Sequence, residues 1–256
     1  TLSTTSGLTT TEAGGTATFT VVLSTEPSAD VTIGLSSSDE TEGAVSPTSV
    51  TFTSANYSTA QTVTITGVDD DLDDGDINYS IVTGTSSSSD DNYNGVNLSD
   101  VSVTNTDNDD SGISSVANLG DADALTTTED GGIATFTIVL GSASTADVTI
   151  GLSSSDETEG TVSPTSVTFT SSNWSTAQTV TISGVDDTVD DGDVAYTIVT
   201  AAATSSDANY SGLNASDISV TNRDNDSGAI NVTPTSGLVT TEAGGTDDFT
   251  IVLGSQ

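Results

Sequence analysis

Short runs in which apolar and polar residues alternate follow one another along the chain, separated by stretches rich in Gly, Ser, Asn and Asp. A period of two is typical of β-strands with one buried face, and the abundant Thr and Val suit such strands. Seven short strands in about 110 residues predict an all-β fold, an immunoglobulin-like antiparallel sandwich. The apolar positions of the seven predicted strands are, in order, Leu2 and Leu8; Ala17, Phe19, Val21 and Leu23; Val31, Ile33 and Leu35; Val50 and Phe52; Val63 and Ile65; Ile77, Tyr79 and Ile81; Val101 and Val103.

The same pattern is repeated. Residues 33–43 recur without change as residues 150–160, so the offset is 117 residues. A third copy opens near Ala229, where residues 240–245 repeat residues 10–15. Repetition at a fixed period indicates tandem structural units. We therefore predict two complete repeats, 1–112 and 113–228, and an incomplete third repeat, 229–256, that holds only the first two strands.

The charge balance excludes several classes of function. The chain has 38 acidic residues and a single basic one, Arg223, which gives a formal net charge of −37. Nucleic-acid binding depends on Lys and Arg, and anionic membrane surfaces repel such a chain. No apolar stretch approaches the roughly 18 residues of a membrane span, so we predict no membrane insertion. Since His and Cys are absent, a metal site here would hold a hard cation through oxygen ligands.

The acidic residues are concentrated in particular loops. Residues 69–76 hold six Asp, and their counterparts 186–193 hold five. If the strands alternate in direction, thirteen of the eighteen acidic residues of repeat 1 lie at one end of the sandwich. Like charges this close repel one another unless a cation lies among them, and calcium takes roughly six to eight oxygen ligands. The sequence therefore predicts a calcium site at this end, with a merely solvated acidic surface as the alternative.

Three sequence features, in this order, resemble Calx-β-like repeats of secreted and cell-surface proteins, including bacterial adhesins. They are Thr-Glu-Ala-Gly-Gly before a Phe-containing strand (11–15), Val-Asp-Asp after the fifth strand (68–70), and Thr-Asp-Asn-Asp at the end (106–109). The resemblance covers both repeats and the third fragment. It implies a β-sandwich that binds Ca²⁺ at one tip. The ligands it implies are Glu12, Asp69, Asp70, Asp74, Asp76, Asp107 and Asp109 in repeat 1, and Glu129, Asp186, Asp187, Asp191, Asp193, Asp224 and Asp226 in repeat 2.

The sequence departs from the family between the third and fourth predicted strands. The familiar Gly-x-Asp-Tyr is missing there, and Asp-Glu-Thr-Glu-Gly (39–43) stands in its place. Asp73 and Asp190 have no counterpart in the family. The acidic residues that close repeat 1 lead directly into repeat 2, so a cation there would stiffen the junction. A flexible acidic hinge is the alternative.

We predict a structural function: an extracellular or cell-surface array of prokaryotic origin that forms a calcium-stiffened stalk or fibre. We do not expect an enzyme, because His and Cys are absent and aromatic residues make up only 4% of the chain. We expect Trp174 to be a packing residue. A carbohydrate- or receptor-binding module that uses the loops 84–100 and 201–217 is the alternative, and regulation by calcium is a third possibility.

The incomplete third repeat leaves two interpretations open. Its second strand, residues 246–253, would have no partners from its own repeat. An unpaired strand that alternates in this way tends to pair with another chain. The chain is either a piece of a longer array, or it associates with copies of itself through this segment.

Overall fold

The computed structural model describes residues 1–118 and 125–255, and every regular element in them is a β-strand. The chain divides into two compact units, Thr1–Asp110 and Ser111–Gln256. No helix among the described residues is long and apolar enough to cross a membrane. The strands of unit 1 are β1 (Leu8–Thr11), β2 (Thr16–Val21), β3 (Val31–Ser37), β4 (Gly43–Ser46), β5 (Ser49–Phe52), β6 (Gln61–Gly67), β7 (Ile77–Thr83), β8 (Ser87–Ser88) and β9 (Val101–Thr106).

Unit 1 is a sandwich of two sheets. One sheet has the order β1-β9-β7-β3-β5, with the short β8 also paired to β3, and the other has the order β2-β6-β4. The alternating apolar residues of both sheets face one another, and Phe19, Phe52, Ile65 and Ile81 are almost completely buried between them. The predicted all-β sandwich is therefore confirmed.

The start of the chain contributes to both sheets. Leu2 forms an antiparallel bridge with Val21 at the edge of the β2 sheet. The chain then crosses to the other sheet, where β1 runs parallel to β9, with Leu8 opposite Val103. The other strand pairs of unit 1 are antiparallel as predicted, and β1–β9 is the exception, because the chain keeps its direction when it crosses and β9 runs the same way.

The region between the third and fifth predicted strands holds one strand more than the sequence predicted. β4 pairs antiparallel with β6, whereas β5 pairs antiparallel with β3. Pro47 separates them, and proline has no N–H with which to continue a ladder. β4 and β5 run one after the other in the same direction, so the chain changes sheets here without reversing.

Because β4 and β5 do not reverse the chain, the acidic loops keep their common end. The register places Thr11 beside Thr106, Gly43 beside Gly67, and Ile77 beside Asn105. The β1–β2 turn, the β3–β4 loop, the β6–β7 loop and the segment after β9 all start or finish at these pairs. We call this end of each unit the acidic end.

Unit 2 repeats the two-sheet plan of unit 1. Its core is centred on Phe136, Phe169 and Tyr210, and Trp174 packs against it, as predicted. Its strands are β10 (Ile113–Ala117), β11 (Leu125–Thr128), β12 (Ile133–Leu140), β13 (Val148–Ser154), β14 (Gly160–Ser163), β15 (Ser166–Phe169), β16 (Gln178–Gly184), β17 (Val194–Thr200) and β18 (Ile218–Arg223). Their orders in the two sheets are β10-β12-β16-β14 and β11-β18-β17-β13-β15.

The C-terminal segment forms a separate two-stranded antiparallel sheet of β19 (Ile230–Thr233) and β20 (Thr250–Leu253). These are the strands predicted to open a third repeat. Their residues are exposed to solvent. The repeat boundaries 112 and 228 stay predictions, since the division between the compact units falls at Asp110 and the C-terminal segment is grouped with unit 2.

Candidate metal centre

The turn between β1 and β2 buries a carboxylate at the acidic end of unit 1. Glu12 N donates to Thr106 O at 3.1 Å, which holds this residue against the end of β9. The turn closes through Gly14, whose φ of 79° favours glycine, and through Gly15, where a Cβ would lie 2.5 Å from Thr11 Oγ1. The Glu12 side chain is only 2% exposed. The Gly-Gly pair of the sequence motif therefore positions the glutamate.

Glu12 meets the segment that follows β9. One oxygen each from Glu12, Asp107 and Asp109 lie within 4.8 Å of one another. Glu12 Oε2 accepts a hydrogen bond from Asn108 N at 3.1 Å, and Asp107 Oδ1 accepts one from Asp109 N at 2.7 Å. These bonds shape the segment so that both Asp residues face Glu12. We call this set cluster 1.

A second set of carboxylates joins the β3–β4 loop to the β6–β7 loop. One oxygen each from Glu42, Asp70 and Asp74 lie within 4.8 Å of one another, and Glu42 is buried. Asn105 Nδ2 donates to Glu42 Oε2 at 3.3 Å and to Val68 O at 3.1 Å. We call this set cluster 2.

Unit 2 reproduces both clusters. Glu129, Asp224 and Asp226 form cluster 1, with Asn225 N donating to Glu129 Oε2 at 3.0 Å. Glu159, Asp187 and Asp191 form cluster 2. Asn222 Nδ2 donates to Glu159 Oε2 at 3.4 Å, as Asn105 does to Glu42 in unit 1.

The clusters contain most of the predicted ligands and two residues that were not predicted. These two are Glu42 and Glu159, and the resemblance implies no ligand from their loop. The signal that could have found them is the identity of residues 33–43 and 150–160 between the repeats.

The remaining predicted ligands lie outside the clusters. Asp69 and Asp76 are exposed, and Asp76 Oδ1 accepts a hydrogen bond from Asp107 N at 3.2 Å. In unit 2, Asp193 Oδ1 accepts from Asp224 N at 3.3 Å, and Asp186 Oδ1 accepts from Asn225 Nδ2 at 3.3 Å. Asp76, Asp186 and Asp193 thus accept hydrogen bonds from the segments that hold cluster 1. The role of these three residues and of Asp69 as ligands stays a prediction.

Burial and mutual repulsion shift the proton affinities at the acidic end of unit 1. Burial, together with the charges of Asp107 and Asp70, raises the pKa of Glu12 from 4.5 to about 7. Burial raises the pKa of Glu42 and of Asp74, and the charge of Asp70 adds to both shifts. Asp70 therefore acts on both clusters, which are electrostatic neighbours.

Unit 2 shows the same directions. Burial raises the pKa of Glu159 and of Asp226, with further contributions from the charge of Asp187. The hydrogen bond from Asn225 N lowers the pKa of Glu129, but burial and the charges of Asp224 and Asp187 raise it more. Hydrogen bonds from Asp226 N and Gly192 N lower the pKa of Asp224.

The donor set fits a hard divalent cation. Every side chain in the clusters offers carboxylate oxygens, which calcium and magnesium prefer. The only basic side chain of the sequence, Arg223, is exposed and belongs to unit 2. Unit 1 therefore has no basic side chain of its own to compensate the charge of its buried carboxylates.

No protein-family model matches the chain, and no curated protein matches it. Among solved structures, CBD12 from CALX1.2 is similar, with 16% identity, a TM-score of 0.35 and 77% of each chain covered. The calcium binding domain CBD12 of CALX1.1 has 15% identity, a TM-score of 0.36 and the same coverage. Domains 4 and 5 of the S-layer protein SbsC have 15% identity and a TM-score of 0.33, over 75% of this chain and 70% of that one.

Proposed function

We propose that the acidic end of each unit binds calcium and that bound calcium stiffens a structural array of Calx-β-like repeats. The observation that supports this most directly is the recurrence of two carboxylate clusters at the same places in both units. Glu12 and Glu42 are buried in unit 1, as are Glu129 and Glu159 in unit 2. A buried carboxylate without a basic partner is costly unless it binds a proton or a cation, and once the pH exceeds its pKa only a cation can compensate the charge.

Calcium at the two clusters would join chain segments that are far apart in sequence. Cluster 1 links the β1–β2 turn to the segment after β9, and cluster 2 links the β3–β4 loop to the β6–β7 loop. Each of these segments lacks regular structure over most of its length. An ion bound between the carboxylates of two segments replaces the repulsion between these carboxylates by attraction to the ion. It would therefore hold the segment after β9 against the β1–β2 turn.

Calcium sites repeated in each unit support a spacer or fibre outside the cell. Extracellular modules bind calcium with dissociation constants of roughly 10⁻⁴ to 10⁻³ M, which suits an environment where the ion is abundant. The two repeats carry the same clusters, as expected for an array of equivalent structural units. In such an array the stabilities of the individual repeats add.

Thermal unfolding in calcium and in chelator tests the proposal. A ligand that binds only the folded state stabilises it by about 2.7 kcal/mol when its concentration is 100 times the dissociation constant. We expect the midpoint to rise by several degrees with calcium and by less with magnesium, which demands a smaller octahedral site. Equal midpoints in calcium and chelator would refute the metal site.

A further inference from the structure

A buried asparagine connects the segments that carry the clusters of unit 1. Asn105, in β9, is only 1% exposed. Its Oδ1 accepts a hydrogen bond from Thr10 Oγ1 at 2.9 Å, and its Nδ2 donates to Glu42 Oε2 and to Val68 O. Because a carbonyl oxygen can only accept, Val68 O fixes the amide nitrogen on this side. One side chain thus joins β9 to β1, to the β3–β4 loop and to the β6–β7 loop.

These four segments are the ones that supply both clusters. Glu42 is itself a cluster 2 residue. The other three segments carry cluster residues two positions after the contact: Glu12 after Thr10, Asp70 after Val68, and Asp107 after Asn105. Since only two residues separate each contact from a carboxylate, a shift of the amide would be transmitted to both clusters.

The amide belongs to a chain of buried hydrogen-bond donors. Thr10 Oγ1 lies 3.2 Å from Tyr79 Oη, and the single hydrogen of this threonine hydroxyl is already donated to Asn105. Tyr79 must therefore be the donor in that pair. The chain of donors runs from Tyr79 through Thr10 and Asn105 to Glu42, and all four side chains are buried. A satisfied buried network holds its members in one arrangement, so the carboxylate of Glu42 is oriented from the core.

Gly67, the last residue of β6, leaves room for the amide. A Cβ at Gly67 would lie 2.6 Å from Asn105 Oδ1, closer than real Cβ atoms approach another heavy atom. The φ of Gly67 lies outside the range that favours glycine. Space for the amide, and not backbone conformation, therefore requires the missing side chain.

Unit 2 contains the same arrangement around Asn222. Thr127 Oγ1 donates to Asn222 Oδ1 at 2.9 Å, and Asn222 Nδ2 donates to Val185 O at 3.1 Å as well as to Glu159. A Cβ at Gly184 would lie 2.6 Å from Asn222 Oδ1. The connection is therefore a property of the repeat.

We propose that Asn105 in unit 1 and Asn222 in unit 2 are positioning residues that hold the carboxylate-bearing segments in place before an ion binds. The inference rests on the calcium binding proposed above and names what prepares the site for it. Without an ion the carboxylates repel one another, so the segments that carry them tend to separate. A neutral amide joins these segments without adding charge. Segments that are already in place lose less conformational freedom when the ion binds.

Residue-specific hydrogen exchange of the full chain in chelator tests the positioning without any ion. Asn105→Leu removes the hydrogen bonds of the amide with little change in side-chain size. We expect roughly 10- to 100-fold faster exchange of the amides that join one segment to another. These are the amides of Glu12, Val68 and Asn108. Their counterparts in unit 2, which serve as the internal reference and should be unchanged, are Glu129, Val185 and Asn225.

Two further variants separate positioning from a general loss of stability. Val103→Ala also alters a buried residue of β9, and it should leave the exchange of the three amides unchanged. Thr10→Val keeps the branched shape and removes one hydrogen bond to Asn105, so the same amides should exchange roughly 2- to 10-fold faster. Unchanged exchange in Asn105→Leu, or equal acceleration by Val103→Ala, would overturn the proposal. If unit 1 of Asn105→Leu does not fold, Thr10→Val decides by the same criteria.

Calcium titration of the same variants, followed through the amide signals of each unit, tests the consequence for the site. We expect Asn105→Leu to bind calcium roughly 10- to 100-fold more weakly in unit 1, with unit 2 unchanged, and Val103→Ala to bind as the unaltered chain does. Equal affinity of unit 1 in Asn105→Leu and in the unaltered chain would overturn the proposal. An unaltered chain that binds no calcium would refute the proposed function instead, and the exchange in chelator would still decide whether Asn105 holds the segments.

Discussion

At the scale of single residues, the acidic end is defined by which carboxylates are buried and which are not. Glu12 and Glu42 are buried in unit 1, whereas Glu40, two residues before Glu42, and Asp69, which precedes Asp70, are exposed. Exposed carboxylates are screened by water and salt, but buried ones interact strongly with their neighbours. The ligand function should therefore depend on a few positions within each acidic run.

The burial of Glu12 makes the stability of the calcium-free protein depend on pH. Its pKa in the folded state, about 7, lies above its ordinary value of 4.5. An acid with a raised pKa stabilises the fold at low pH, and this contribution is lost as the pH rises from about 4.5 to 7. In chelator, we expect the free energy of unfolding to fall by on the order of 2 kcal/mol between these values, measured by denaturant titration.

The variant Glu12→Gln should remove much of this dependence, because the amide does not ionise. It should be at least as stable as the unaltered chain at pH 8 in chelator, and less stabilised by added calcium. A pH profile identical to that of the unaltered chain would show that Glu12 is not the titrating group.

The two glutamates of the β3–β4 loop provide a matched pair for testing cluster 2. Glu42→Gln should weaken the calcium-dependent shift of the thermal midpoint, because Glu42 lies with Asp70 and Asp74. Glu40→Gln, an exposed neighbour, should leave the shift within error. Equal behaviour of the two variants, measured by calorimetry in calcium and in chelator, would argue that cluster 2 binds no ion.

The sequence could predict the site only in part at this scale. Glu12 and Asp107 were predictable because each stands beside a strand end with a recognisable motif. The difference between Asp69 and Asp70 was not predictable, since two adjacent carboxylates in a loop look alike until backbone contacts orient them. Leu72 N donates to Asp70 Oδ1 at 2.7 Å, and this loop contact could not be read from composition or alternation.

At the scale of elements, period-two alternation was sufficient to predict the long strands, but it did not predict β4. β3, β6 and β7 bury every second residue, so their pattern predicts them directly. β4 has only four residues and belongs to a different sheet from β5, which follows it. A change of sheet is a tertiary event, and only Pro47 marks it in the sequence.

The position of β4 depends on the absence of a side chain at Gly43. A Cβ there would lie 2.1 Å from the hydroxyl oxygen of Tyr79, which is buried. We expect Gly43→Ala to destabilise unit 1 by roughly 1–3 kcal/mol or more, as overpacking does. Gly34→Ala is the control, since a Cβ at Gly34 meets no atom within 4 Å. Denaturant titration compares the two, and a Gly43→Ala variant as stable as Gly34→Ala would contradict the packing account.

At the scale of the whole molecule, the repeat of 117 residues predicts the position of the acidic segments better than any single motif does. It brings four separate segments of each unit to the acidic end, and the structure places the same clusters there twice. The sequence could predict this polarity because the strands alternate in direction. It could not predict that the C-terminal strands would expose Ile230, Ile251 and Leu253, because exposure depends on which strands are present to cover them.

Two units with separate clusters should respond to calcium separately. In a chain with Glu12→Gln and Glu42→Gln, unit 1 loses a buried carboxylate from each of its clusters, while unit 2 keeps Glu129 and Glu159. We expect calorimetry in calcium to resolve two transitions: one that stays near its chelator midpoint, and one that shifts as in the unaltered chain. The reciprocal pair, Glu129→Gln with Glu159→Gln, should exchange the roles of the two transitions. If the first pair abolishes the calcium shift of the whole chain, the two units form one cooperative unit, and the ions act on their assembly and not on each repeat.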